Sequence, residues 1–359
     1  MNKALRKTDF YFSLYATRLG LTCGTYRELD DGPFGDASGL PQSLKIHFWA
    51  PVKTAGANVI IHDMLPSLRE ESLAAGLDWT VTAGEKLPPM PVDWLVCFKA
   101  IPERDNPVAI SARRVFLVCD QLELFWRKLD GFHDAVATSS RPFAKLLAGT
   151  HSKVVFLGES EPLDYLAFGV KNLAVPPAQR GNVLLWHGGH YSMDALMKLR
   201  PALESFAASR DVQLHVISGK SQPRSEQWGK LAVHYFPWSK ERLFESASLA
   251  RLGFIPARAS LRLSWLKPGS RVRCLYALGV PAIGDRRVPD AVDFLREFDG
   301  PSADSKASWG RQLSLLWDSP EQLARLSAAG YNAVAEHHST RQTAHKWIRF
   351  FANLKTAGH

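Results

Sequence analysis

Apolar residues in this chain gather in short unbroken runs, each closed by small or polar residues and followed by a stretch of helical spacing. Residues 45–50, 79–82, 94–98, 115–119, 135–138 and 154–157 are such runs. Continuous apolar runs of this length mark strands buried on both faces of a parallel sheet. The spacing predicts helices between several of them, at 58–75, 122–128 and 141–148. Strands alternating with helices build βαβ units and a doubly wound sheet.

The pattern then restarts. Val175-Pro176-Pro177-Ala178-Gln179-Arg180-Gly181 reads as a short Pro/Gly linker. Beyond it, strands at 182–186, 212–217, 232–235, 252–255 and 281–283 alternate with helices at 192–209, 240–249 and 268–278, before a helical C-terminus. The expectation is an α/β chain of two Rossmann-like domains facing each other across a cleft, residues 1–177 and 178–359. Ligands would sit beyond the carboxyl ends of the strands.

Composition changes this picture in one respect. With 359 residues, 46% hydrophobic and 22% charged, the chain is of ordinary globular type, which excludes disordered and collagen-like classes. Its net charge of +9 is uneven, however: residues 1–180 carry 20 basic and 20 acidic side chains, so the remainder holds the whole excess. That asymmetry points to an anionic partner for the second half, with a solvated basic face as the plain alternative. No Lys/Arg block of five or more occurs, which argues against nucleic acid. Cys23, Cys97, Cys119 and Cys274 are scattered without a CxxC pair, so a reducing, cytoplasmic setting is expected. No apolar run approaches the ~20 residues of a membrane span, and Arg18 interrupts the apolar stretch 10–21, so no signal peptide is expected. Phe10, Tyr11, Phe12, Leu14 and Tyr15 lie among Lys3, Arg6, Lys7 and Arg18. This arm reads either as a weak peripheral contact with the inner face of a membrane or as a segment docked on the first domain.

Candidate chemistry concentrates in the second half. The strand at 182–186 runs through His187, Gly188 and Gly189 toward a helix near Ser192. Glycines there let a backbone approach a ligand, and a helix N-terminus offers free N–H groups to phosphate; a tight turn capped by Ser192 is the alternative. His187 and His190 lack further ligands at metal-binding spacing, so no metal is expected. Gly219 and Lys220 end the next strand, and Trp238 lines either a base pocket or the core. Lys267 precedes a Pro-Gly-Ser helix start, with Arg271 at i+4 on the same expected face and Ser270 between them. Two such cations repel, so an anion held between them is favoured. A solvent-facing basic helix start is the other reading.

Taken together, His187-Gly188-Gly189, Gly219, Pro237-Trp238, Ile255-Pro256, Lys267-x-x-Ser270-Arg271 and Ala277-Leu278-Gly279-Val280-Pro281 resemble the donor half of GT-B glycosyltransferases. The resemblance is nearest to the bacterial glycosyltransferase group 1 (family 4-like) enzymes. It extends to Ser319-Pro320-Glu321-Gln322-Leu323 and His345-Lys346-Trp347, and so covers most of residues 181–352; the first half fits only as a fold. It implies transfer of a sugar from a nucleotide-sugar donor to a glycan or lipid-linked acceptor, in bacterial surface polysaccharide assembly, with neither metal nor added cofactor. The diphosphate role falls on Lys267, Ser270 and Arg271, with Gly188, Gly189, Gly219, Lys220 and Trp238 around the donor. Retaining members carry a Glu-x7-Glu pair, and this chain has Leu266 and Cys274 at those positions. Stereochemical outcome therefore stays open, as does a non-catalytic nucleotide-sugar or glycan-binding protein; an epimerase of the same architecture is less favoured. A general base would come from the first domain: Asp120 after strand 115–119, for which a helix cap is the alternative, or else His47, Glu159 or Glu161.

Overall fold

The computed structural model describes residues 24–29, 40–51, 58–119, 132–149, 151–219, 221–257 and 266–355. The expected N-terminal arm, the helix at 122–128, Asp120 and Lys220 lie outside them. The described residues form two compact units that do not part at a single chain position. Residues up to Pro162, with Leu266–Pro268 and everything from His337 onward, make the first; Leu163–Trp265 and Gly269–Glu336 make the second.

The first unit holds β1 (Arg27–Glu28), β2 (Ser43–Trp49), β3 (Asp78–Gly84), β4 (Trp94–Phe98), β5 (Arg113–Val118), β6 (Ala135–Thr138) and β7 (Val154–Phe156). They form one parallel sheet in the order β1-β7-β6-β5-β4-β2-β3. Every residue of β4, β6 and β7 is buried, as unbroken apolar runs require. The helical stretch expected at 58–75 divides into a π-helical turn at Asn58–His62 and helix α1 (Leu65–Ala74). Pro66, at the second helical position, supplies no N–H and so marks a fresh start. Short helices α2 (Pro107–Ser111) and α3 (Arg141–Leu147) are capped by Asn106 and Ser140, whose side chains accept backbone N–H groups.

Helix α4 (Leu163–Leu173) packs with the second unit. There β8 (Val183–His187), β9 (Gln213–Ser218), β10 (Arg224–Trp228), β11 (Leu231–Pro237), β12 (Ala250–Ile255), β13 (Ala282–Asp285) and β14 (Ser302–Ala303) form a second sheet, in the order β10-β11-β9-β8-β12-β13-β14. Only the β10–β11 pair is antiparallel. Its helices are α5 (Met193–Ala207), α6 (Lys240–Leu249), α7 (Ser270–Ala277), α8 (Pro289–Arg296), α9 (Lys306–Trp317) and α10 (Pro320–His337). One apolar layer joins Trp186, Trp228, Phe254 and Trp309, and the other joins Leu185, Leu275, Tyr276 and Phe294.

The last helix, α11 (Thr340–Lys355), returns to the first unit. Its Trp347, Ile348 and Phe351 enter the same cluster as Phe48 and Trp94, with Trp347 edge-on to Phe48 at 5.1 Å. Each such fully buried side chain is worth roughly 1.5–3 kcal/mol. Ser67 donates to Thr340 at 3.0 Å, and Glu71 takes both Arg341 at 2.8 Å and His345 at 2.7 Å, fastening α11 to α1.

Each sheet has a strand from which the chain winds outward in both directions. In the first it is β2, between β3 and β4; in the second it is β8, between β9 and β12. Loops leaving the carboxyl ends of strands at such a switch diverge and leave a crevice.

Candidate functional site

In the second unit the switch lies beyond β8 and β12, where His187, Gly188 and helix α7 meet. His187 ends β8, and its Nε2–H donates to the backbone carbonyl of Arg271 at 3.0 Å. Burial holds its pKa down to about 4; that backbone bond opposes the shift and the Arg271 charge adds to it. The ring is therefore neutral near pH 7. Gly188 follows, its N–H bonded to the Ile217 carbonyl at 3.0 Å. A Cβ built there would stand 2.7 Å from Arg271 Nη1 and 3.1 Å from the Trp186 ring, so only glycine leaves the guanidinium its place.

Arg271 sits in the first turn of α7, half-buried, and its Nη1 is buried without a hydrogen-bond partner among the described residues. Desolvation pulls its pKa down to about 10, partly offset by the Asp285 carboxylate. A cation with a dry, unpaired donor is a costly arrangement that an anion would relieve. The amides of Ser270 and Arg271 open the helix, and among the described residues no side chain caps it. That N-terminus is tied to α8. Asp290, at the start of α8, accepts the Gly269 N–H at 2.7 Å and pairs with buried Arg273 at 3.0 Å. A Cβ on Gly269 would meet Ala291 Cα at 2.7 Å, which brings α7 and α8 into close contact.

Of the residues singled out from the sequence, the fold thus brings Gly188, Ser270 and Arg271 together. Lys267 does not share their helix face: α7 begins at Ser270, and Lys267 belongs to the Leu266–Pro268 segment grouped with the first unit. Pro268 disfavours helical backbone at the residue before it, which excludes Lys267 from the helix. Gly189 and Gly219 are exposed, and a Cβ at either would meet no atom of the described residues within 4 Å; neither packing among them nor a positive φ calls for glycine there. Trp238 is exposed rather than in the core, and its backbone N–H donates to the Ser218 carbonyl at 3.1 Å. The same carbonyl takes the Ser221 N–H at 3.0 Å, tying the loops after β9 and β11 together. Cys274 and Leu266, at the Glu-x7-Glu positions, are buried.

His187 spends its Nε2 on a carbonyl, and no group of three or more His, Cys, Asp or Glu side chains able to hold a metal occurs among the described residues. In the first unit, both nitrogens of His47 are engaged. Nε2–H donates to the Lys86 carbonyl at 3.2 Å, so Nδ1 accepts from the Thr82 hydroxyl at 2.8 Å. That histidine pins the 85–89 loop beside an open depression of about 500 Å³. Glu159, buried just past β7, accepts from the Ser139 hydroxyl at 3.2 Å. Glu161 is bridged through its backbone to His338 and Thr340, a structural tie for α11. The sequence pattern gave no signal for Asp285 or Asp290, whose importance lies in partners that only the fold supplies.

No family model matches this sequence, and no curated protein matches it. Solved structures do. A glycosyltransferase from Rickettsia africae superposes with a TM-score of 0.63 at 10% identity, over 89% of this chain and 100% of that one. Anabaena Alr3699/HepE, in complex with UDP and glucose, gives 0.61 at 9% identity over 86% and 100%. Sucrose-phosphate synthase from Thermosynechococcus elongatus gives 0.59 at 11% identity over 88% and 100%. The chain has the GT-B, glycosyltransferase-like fold.

Proposed function

We propose that this protein is a glycosyltransferase that moves a sugar from a nucleotide-activated donor to a glycan or lipid-linked acceptor, in bacterial surface polysaccharide assembly on the cytoplasmic side of the membrane. The observation that carries the proposal is Arg271, a first-turn residue of α7 at the switch of the second sheet, whose buried Nη1 has no hydrogen-bond partner among the described residues. Breaking the anomeric C–O bond delivers negative charge to the departing diphosphate. A fixed guanidinium and two helix-opening amides stabilise that charge without a metal. That a protein of this fold was crystallised with UDP is consistent with such a donor. The resemblance read from the sequence assigns further donor roles to Lys267, Gly189, Gly219, Lys220 and Trp238.

The acceptor hydroxyl forms the new bond and gives its proton to a base. Asp120 is the first choice and Glu159, already held by Ser139, the second. The absence of carboxylates at Leu266 and Cys274 favours one rival reading, a non-catalytic nucleotide-sugar-binding protein. A thermal-shift screen of nucleoside diphosphates and their sugars tests the proposal. A true ligand at about 100 times its Kd adds about 2.7 kcal/mol of stability. A screen in which every nucleotide leaves the melting point unchanged would refute both readings.

A further inference from the structure

The end of β8 touches residue 271 at two points. His187 holds its main-chain carbonyl, at 3.0 Å, and Gly188 borders its guanidinium. These are adjacent residues of one strand end acting on one arginine 84 positions later in the chain. His187 is buried and its Nε2 is committed to that carbonyl, so it is unsuited to move a proton or bind a metal through that atom. Gly188 has no positive φ that would call for glycine. Its missing Cβ matters only because Arg271 Nη1 and the Trp186 ring, at 2.7 and 3.1 Å, occupy the space.

From this we infer that His187 and Gly188 are positioning residues that aim Arg271: one fixes where its backbone stands, the other where its guanidinium lies. The inference rests on the donor reading above and deepens it. A methyl group at 188 is accommodated by moving Nη1, the far end of a flexible side chain, and a few tenths of an ångström of the Trp186 ring. The second unit therefore still folds in Gly188→Ala, with the Arg271 guanidinium displaced from its place beside residue 188.

A double-variant cycle tests this. UDP, GDP and ADP are titrated calorimetrically into the full-length protein, and the tightest is carried through Gly188→Ala, Arg271→Lys and the double variant. Gly188→Ala alone should weaken binding about tenfold or more, the worth of one charge-assisted hydrogen bond. In the Arg271→Lys background it should change binding by less than about twofold, because lysine has no Nη1 for the methyl to displace. His187→Leu should weaken binding and His187→Gln, which keeps an N–H donor, should restore much of it, so the inference stays testable even where Gly188→Ala fails to fold. Equal losses from Gly188→Ala in both backgrounds, or His187→Leu binding like the parent, would overturn it. A parent protein that binds none of the three nucleotides would instead overturn the donor reading, and this inference with it.

Discussion

Arg271→Met should make the free protein more stable and its nucleotide binding worse. The guanidinium keeps its charge in a place where burial has lowered its pKa from 12.5 to about 10. The charged form is thus held at a cost, relative to the unfolded chain, of roughly 1–3 kcal/mol once its partial exposure is allowed for. Methionine, unbranched and apolar, can lie along Gly188 and the Trp186 ring without that cost. For a unit of this size, each kcal/mol moves the midpoint by about 2–4 °C, so a rise of roughly 2–12 °C is expected in differential scanning calorimetry. The same scans with saturating nucleoside diphosphate should show the ligand-induced rise of the parent largely gone, since about 1.5–3 kcal/mol of charge-assisted bonding is removed. A variant that melts lower than the parent would show that Nη1 is satisfied in the free protein. A variant that keeps the full ligand shift would remove Arg271 from the site.

Two further outcomes follow from buried groups elsewhere. Burial depresses His133 to about 3 and both His187 and His215 to about 4, so each is neutral in the fold while the unfolded chain takes up a proton near 6.5. Their stability contribution is full above pH 7 and is lost as pH falls from 6.5 toward 4, at about 2 kcal/mol each by pH 5. Melting points taken at pH 7.5 and 5 should fall steeply, and equal midpoints would contradict the burial argument. Asp290→Ala strands buried Arg273 and frees the Gly269 N–H, and should cost about 3–5 kcal/mol in urea unfolding. A loss under about 1 kcal/mol would mean that the α7 start is held by something else.

Strands and helices were legible where local pattern and tertiary burial agree. The runs at Trp94–Phe98 and Ala135–Thr138 are strands residue for residue, because both faces of each are covered. Lys240–Leu249 was equally plain, with Ser239 capping it through the Arg242 N–H at 3.1 Å. Strand β10 was not legible: four of its five residues are exposed, and it is held by pairing with β11 rather than by an apolar pattern. Nor could the pattern show that α11 packs on the first unit, since Ser67 and Thr340 are 273 residues apart. The site divides in the same way. Gly188, Ser270 and Arg271 stood out as residue types near helix starts, whereas the reason for Gly188 is a contact with Arg271 that no local spacing contains. Lys267 precedes the helix, as its position before Pro268 requires, and the helical spacing that puts it on one face with Arg271 does not apply because α7 starts at Ser270.

The central claim is that this chain cleaves a nucleotide-activated sugar. Incubating the full-length protein with UDP-, GDP-, ADP- and CMP-sugars and quantifying the nucleotide set free measures it directly. Nucleotide release is expected from at least one donor, rising when the right acceptor is added and reduced at least tenfold in Arg271→Ala, the loss of one charge-assisted contact of about 1.5–3 kcal/mol. Tight donor binding with no nucleotide released, across the panel and with glycan and lipid-linked acceptors present, would contradict it and leave a binding protein on a glycosyltransferase fold.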